Sequence, residues 1–152
     1  VTYSFEDFTP GRRFPLGPKT VRADEIIEFA SEFDPQPMHL SEEAGKASIL
    51  GGLAASGWHT CAMMMRMAVD SYINHAPSQA GLGVDFVDWK KPVLAGDTLS
   101  GTSTVVEQRI SVSRPGLGII KLRHELQNQR GETVFISEMN VMFATSSEWV
   151  SS

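Results

Sequence analysis

The stretch from Trp58 to about Asn74 does most to limit what this chain can fold into. It reads as one long helix carrying Trp58, Cys61, Met63, Met64, Met65, Met67, Val69, Tyr72 and Ile73, and its apolar side chains point in almost every direction. A helix that is apolar all round must be buried nearly all round. Its only charges, Arg66 and Asp70, stand four apart and can pair along the helix surface. No run of eighteen apolar residues occurs anywhere, so the burial cannot be in a membrane span. The cover must come from the protein itself. With 152 residues, 41% of them hydrophobic, the chain suits one domain, taken as residues 1–152, and can bury roughly 68–70% of its unfolded surface.

The second half of the sequence supplies that cover. Leu82–Trp89, Thr98–Arg109, Leu117–Asn128 and Thr133–Thr145 read as four strands. Pro92, Gly96-Asp97, Pro115-Gly116 and Arg130-Gly131 provide the turns between them. The last strand is apolar on both faces, with Phe135, Met139, Val141 and Phe143 on one and Val134, Ile136 and Met142 on the other. The helix covers one face, and a second subunit is the expected cover for the other. Ahead of the long helix, residues 24–33 form a short amphipathic helix with Ile26, Ile27, Ala30 and Phe33 on one stripe. Pro35 stops it, and Ser41 caps a second short helix with Glu42 and Glu43 in its first turn. The expected class is α+β, a helix packed on one face of a curled antiparallel sheet.

Composition removes several functions. A net charge of −5 with no basic run argues against nucleic acid. Cys61 is the single cysteine, which excludes an intramolecular disulfide and a cysteine-rich zinc site. The four histidines lack metal-ligand spacing, so no metal is expected. Gly51-Gly52 is followed by no phosphate-loop pattern. The start of the chain lacks the basic-then-apolar order of a secretory leader, which makes the cytoplasm the expected compartment.

Chemistry concentrates in Phe33-Asp34-Pro35-Gln36-Pro37-Met38-His39. The two prolines exclude helix at Asp34 and Gln36 and stiffen the segment. Fully extended, Asp34 and His39 would lie about 16 Å apart, so they act together only on the arms of a turn. A carboxylate beside an imidazole is a general acid/base pair that can hold and polarise a water. An Asp and a His five apart also arise by chance, and Asp-Pro often simply ends a helix; spacing alone leaves both readings open.

The segment resembles the hydratase motif of the MaoC-like (R)-specific enoyl-CoA hydratases, Gly-Asp-x-Asn-Pro-Leu-His. Asp34, Pro37 and His39 match it, and Met38 replaces Leu. Phe33 stands where the family usually has a small residue, and Gln36 where it has Asn. Leu53-Ala54-Ala55-Ser56-Gly57 is similar to the family's small-residue loop entering the central helix, with Ser56 where a His is common. Lys91-Pro92-Val93-Leu94-Ala95-Gly96-Asp97-Thr98-Leu99 resembles its Lys-Pro-Val-x-x-Gly-Asp-x-Leu turn. The resemblance spans about residues 5–145 and implies a hot-dog fold, an antiparallel sheet wrapped around one long helix.

It also implies the chemistry. Asp34 and His39 would be the catalytic pair, with Gly57, Ser56 and Gln36 toward the substrate. The Gly57 N–H would meet the thioester carbonyl at the helix N-terminus, where unpaired amides and the positive end of the dipole favour a developing enolate. The glycine's missing Cβ would let that carbonyl come close, and the residues alone leave Ser56 a plain N-cap. The implied reaction is hydration or dehydration of an acyl thioester, of the enoyl-CoA to 3-hydroxyacyl-CoA type. No cofactor is called for, and the expected assembly is a homodimer or a higher assembly of dimers. A hot-dog thioesterase and a non-catalytic acyl-thioester-binding subunit are the alternatives. Other candidates have plainer readings. The Met63-Met64-Met65-Met67 cluster is core before it is an acyl tunnel. His59 is a helix-start residue, His75 suits a helix end, and His124 points inward on a strand. Cys61 is an inert buried thiol. Lys90, Lys91, Arg12 and Arg13 are surface charges that could meet CoA phosphates.

Overall fold

A computed structural model describes residues 2–145. Five strands, β1 (Arg13–Thr20), β2 (Ser78–Trp89), β3 (Thr98–Ile110), β4 (Leu117–Gln127) and β5 (Thr133–Ala144), accompany three helices, α1 (Ala23–Phe33), α2 (Glu42–Ala47) and α3 (Gly57–Ser71). The strands form one antiparallel sheet in the order β1-β3-β4-β5-β2. Its inner face shares one core with Met63, Met64 and Met67 of α3. This is the hot-dog architecture, a sheet curled around a central helix.

The first strand was not legible as one. Its sequence, Arg-Phe-Pro-Leu-Gly-Pro-Lys-Thr, carries two prolines and a glycine, which reads as loop. The segment is tolerated because β1 lies at the sheet edge, where a proline need not supply a ladder donor. Phe14 and Leu16 alternate into the core, and the register shifts between Leu16 and Lys19. The second strand also starts at Ser78 rather than Leu82, with three register shifts along it.

The central helix is shorter and less enclosed than its sequence predicts. It ends at Ser71, and a tight turn over Ile73–His75 follows. Thr60, Met63, Met64, Met67 and Ala68 are buried, but Trp58 is 63% exposed and Cys61, Met65 and Val69 are only half-buried. One copy of the sheet covers one side of the helix. The Arg66–Asp70 pair forms as expected, at 3.0 Å. On α1, Ile26 and Ala30 are buried while Phe33 lies at the surface. On β5, Phe135, Val141 and Phe143 are buried. The outer face is less apolar than the alternation suggests, because Glu138 sits between Ile136 and Met142 and pairs with Arg123 at 3.0 Å. No helix among the described residues is long and apolar enough to cross a membrane.

Candidate active site

Asp34 is the first residue beyond α1, where its N–H still bonds the Ala30 carbonyl. The two prolines then fold the chain back as a turn. Gln36 N–H donates to the Asp34 carbonyl, and Pro37–His39 form one tight helical turn closed by His39 N–H to the Gln36 carbonyl. Both arms of the expected turn thus face one point. The Asp34 Oδ2 lies 3.5 Å from His39 Nε2. His39 is almost wholly buried, and its Nδ1 lies 2.7 Å from the Ala54 carbonyl. A carbonyl only accepts, so Nδ1 carries the proton. In the neutral ring Nε2 therefore presents a lone pair toward Asp34.

Asp34 is held from three directions. Ser56 donates its hydroxyl to Oδ2 at 2.7 Å, and Gln36 Nε2 donates to Oδ1 at 2.6 Å. These two bonds, with the nearby His39, hold its carboxyl below the usual carboxylate range, against the opposing effect of burial. Two expectations change here. Ser56 precedes α3 in the N-cap position but makes no cap with its side chain; its hydroxyl is turned to Asp34 instead. The first amides of α3 are consequently left without a side-chain cap. Gln36, expected to contact substrate, lines the cleft and gives its amide to the Asp34 carboxylate.

The loop before α3 is pinned by the turn that follows β2. Ala55 N–H bonds the Val93 carbonyl, Ala95 N–H bonds the Leu53 carbonyl, and Ala54 pairs with Leu94 as an isolated bridge. Asp97 closes that turn by accepting from Leu94 N–H at 3.0 Å. Gly57 then opens α3. A Cβ on Gly57 would lie 2.5 Å from the Trp89 ring, and Trp89 Nε1 donates to the Gly57 carbonyl at 2.9 Å. The space left by the missing side chain is filled by indole, so glycine is required here by Trp89 packing. In the sequence Trp89 reads only as the end of a strand; an aromatic ahead of Lys90-Lys91-Pro92 is the available signal.

Asp34, Gln36, His39, Ala54, Ala55, Gly57, Trp58, Trp89 and the Lys90–Val93 segment line one open cleft of about 400 Å³. A larger groove of about 900 Å³ runs between β1, α1 and α3 past His59 and Met63, and holds neither Asp34 nor His39. Among the described residues no cluster of three His, Cys, Asp or Glu could hold a metal. The remaining candidates are placed elsewhere. His59 stacks on Phe29 with ring centres 4.7 Å apart, and His75 lies beyond α3. His124 is fully buried on β4, 2.7 Å from Ser103 Oγ. Burial pushes the Cys61 thiol pKa up. Lys91 pairs with Glu132 and Lys90 with Asp88, while Arg12 lies over the Tyr3 and Phe14 rings and Arg13 reaches Thr102.

A sheet curled around one helix, with an Asp-His turn against that helix's N-terminus, defines a class of hot-dog domains. The family model for the MaoC like domain matches residues 7–128, and the chain belongs to that family. It is 31% identical over 137 residues to the uncharacterized protein YdeM of Bacillus subtilis, covering 90% of this chain and 96% of that one. A crystal structure described as a MaoC-like dehydratase from Rhodospirillum rubrum is 41% identical, with a TM-score of 0.85 over 94% of this chain and 97% of that one. The R-hydratase PhaJ1 of Pseudomonas aeruginosa shares the fold at 19% identity, with a TM-score of 0.75 over 94% and 86% of the two chains.

Proposed function

We propose that this protein adds water across the double bond of an enoyl thioester, of the acyl-CoA type, and catalyses the reverse dehydration. The observation that carries the reading is the Asp34–His39 pair, 3.5 Å apart, in a cleft whose other wall is the N-terminus of α3. With Nδ1 protonated, His39 Nε2 and Asp34 Oδ2 both offer lone pairs to the gap. A water held by both donates one hydrogen bond to each, which leaves its own lone pairs facing the cleft.

Attack of that water on the β carbon forms the new C–O bond as Nε2 takes the proton. Asp34, held ionised by Ser56 and Gln36, stabilises the imidazolium. The electron pair of the double bond moves through the α carbon onto the thioester oxygen, where the Gly57 N–H and the helix dipole favour negative charge. The imidazolium then returns its proton to the α carbon, and one water has been added. The thioester itself acidifies the α position, so the step needs neither a metal nor a redox cofactor. The same reading makes the protein a homodimer. The half-exposed side of α3 and the free edge of β2, where Leu82 and Val84 are exposed, are suited to a second copy.

Incubation with crotonyl-CoA tests the reaction. Loss of the conjugated enoyl absorbance without release of free thiol is the expected result. Free thiol would make the protein a thioesterase, and binding with neither change would make it a non-catalytic subunit.

A further inference from the structure

The cleft has two chemically different ends. At one stand Asp34 and His39, where the β carbon must lie. At the other stands Gly57, where the thioester carbonyl must lie. The arm that carries the sulfur leaves from the carbonyl carbon, so its path runs over the Gly57 end. That end is walled by two indoles. Trp89 packs so close to Gly57 that a Cβ there would lie 2.5 Å from its ring, and it is anchored by its hydrogen bond to the Gly57 carbonyl. Trp58 meets it edge to face, with centroids 5.4 Å apart and planes at 80°. Both line the cleft, and both remain open to it, Trp58 being 63% and Trp89 46% exposed.

The cations beside that wall are already engaged. Lys91 is 2.5 Å from Glu132, and Lys90 is 3.5 Å from Asp88. Glu132 is further held by Asn128 and Arg130, and these contacts with Lys91 depress its carboxyl to about 2. An incoming phosphate would meet lysines whose charge is partly offset by these carboxylates, on a chain whose net charge is −5. Charge is therefore a poor grip for the arm, and the indoles are a good one. Tryptophan offers a large, rigid apolar surface with a polar edge, and such half-exposed aromatics carry much of the energy at recognition sites.

We propose that Trp58 and Trp89 form the binding wall for the pantetheine arm of the thioester, and that Lys90 and Lys91 contribute little to holding it. The inference rests on the reading of Gly57 as the carbonyl's partner. The recognised chemistry is a pantetheine thioester, which can be presented by CoA or by a carrier protein.

Calorimetric titration with butyryl-CoA, butyryl-pantetheine and a butyryl-loaded carrier protein tests this, because these saturated thioesters bind without being hydrated. Trp58→Leu and Trp89→Leu should each weaken binding of every thioester that the wild type binds by about tenfold. Trp89→Phe, which keeps a ring over Gly57, should restore affinity to within about threefold. Lys90→Ala, Lys91→Ala and a rise from about 0.05 to 0.5 M salt should each change it less than about threefold, since paired and solvent-screened charges add little. With crotonyl-CoA, the KM of Trp89→Leu should rise by a larger factor than kcat falls. Unchanged binding in both leucine variants overturns the proposal, as does a larger loss from the lysine variants, or binding of butyryl-CoA without measurable binding of butyryl-pantetheine. Which thioesters the wild type binds identifies the source of the arm. Tight binding that depends on the tryptophans, without hydration of crotonyl-CoA, upholds the wall and removes the hydratase reading; no binding of any thioester removes both.

Discussion

His124 makes the stability of this fold depend on acid. It lies fully buried at the centre of the sheet, in register with Ser103 on β3 and Ser137 on β5. Ser103 is its hydrogen-bond partner, and Nε2 is buried without one among the described residues. Burial pushes its pKa down to about 4 from an ordinary value of 6.5. The folded ring is therefore neutral where the unfolded ring already binds a proton. Stability is complete above pH 6.5 and falls as the pH drops, because the unfolded chain takes up more protons. At 1.36 kcal/mol per unit, the loss from this residue reaches about 2 kcal/mol at pH 5 and about 3 kcal/mol at pH 4. For a chain of this size that is a fall in Tm of about 4–8 °C by pH 5. His59, whose pKa burial also lowers, adds loss of the same sign. The assay is urea unfolding from pH 7.5 to 4.5 at one protein concentration, on the wild type and on His124→Gln, whose amide can still serve Ser103. The variant should start lower and show a much flatter curve between pH 6.5 and 5. Parallel curves for the two proteins would refute the assignment of the acid loss to His124.

Three further outcomes follow from the site and the assembly. Asp34→Asn and His39→Ala should each lower hydratase turnover by roughly 10²–10⁴, and the double variant by no more than the worse single one, because both groups hold one water; steady-state rates with crotonyl-CoA check this. Ser56→Ala should cost turnover by roughly 10- to 100-fold, the range for a hydrogen bond to a charged group. It should also move the acid limb of the pH–rate profile upward as Asp34 loses a partner, whereas a mere helix cap would show a stability loss and a normal rate. Light scattering at micromolar concentration should give twice the mass of one chain, and a stable monomer would count against the assembly.

The parts of the fold that could be read from sequence are those fixed by local pattern. Strands β3 to β5 announce themselves by alternation and by Gly and Pro turns, and the helix from Trp58 by length and apolarity. Ser41 reads correctly as a cap because its partner, Ala44 N–H, is three residues away. The failures involve distant partners. Ser56 looks like the same kind of cap, but its hydroxyl goes to Asp34, twenty-two residues away, and no local rule ranks a helix amide against a distant carboxylate as its partner. The β1 segment reads as loop because its prolines are acceptable only at an edge, which is a property of topology. The helix was expected to be enclosed because its sequence reports the burial it needs, without saying how many chains supply it. Asp34 and His39 were legible as a pair through the likeness of their segment to the hydratase motif, since spacing alone left a chance pairing open. The role of Trp89 was not, since position 89 meets position 57 only after the sheet has closed.

The link between His39 and Ala54 ties proton chemistry to main-chain geometry. The nitrogen that stays basic is selected by a carbonyl, and the same residue's N–H is bonded to Met38. Exchanging the side chain at position 54 leaves that selection in place. What would alter it is a change in the path of the backbone, such as an added or deleted residue in the Lys91–Asp97 turn that fixes the height of the Leu53–Ala55 loop. In this domain the choice of tautomer is inherited with the length of a loop rather than with the identity of any one side chain.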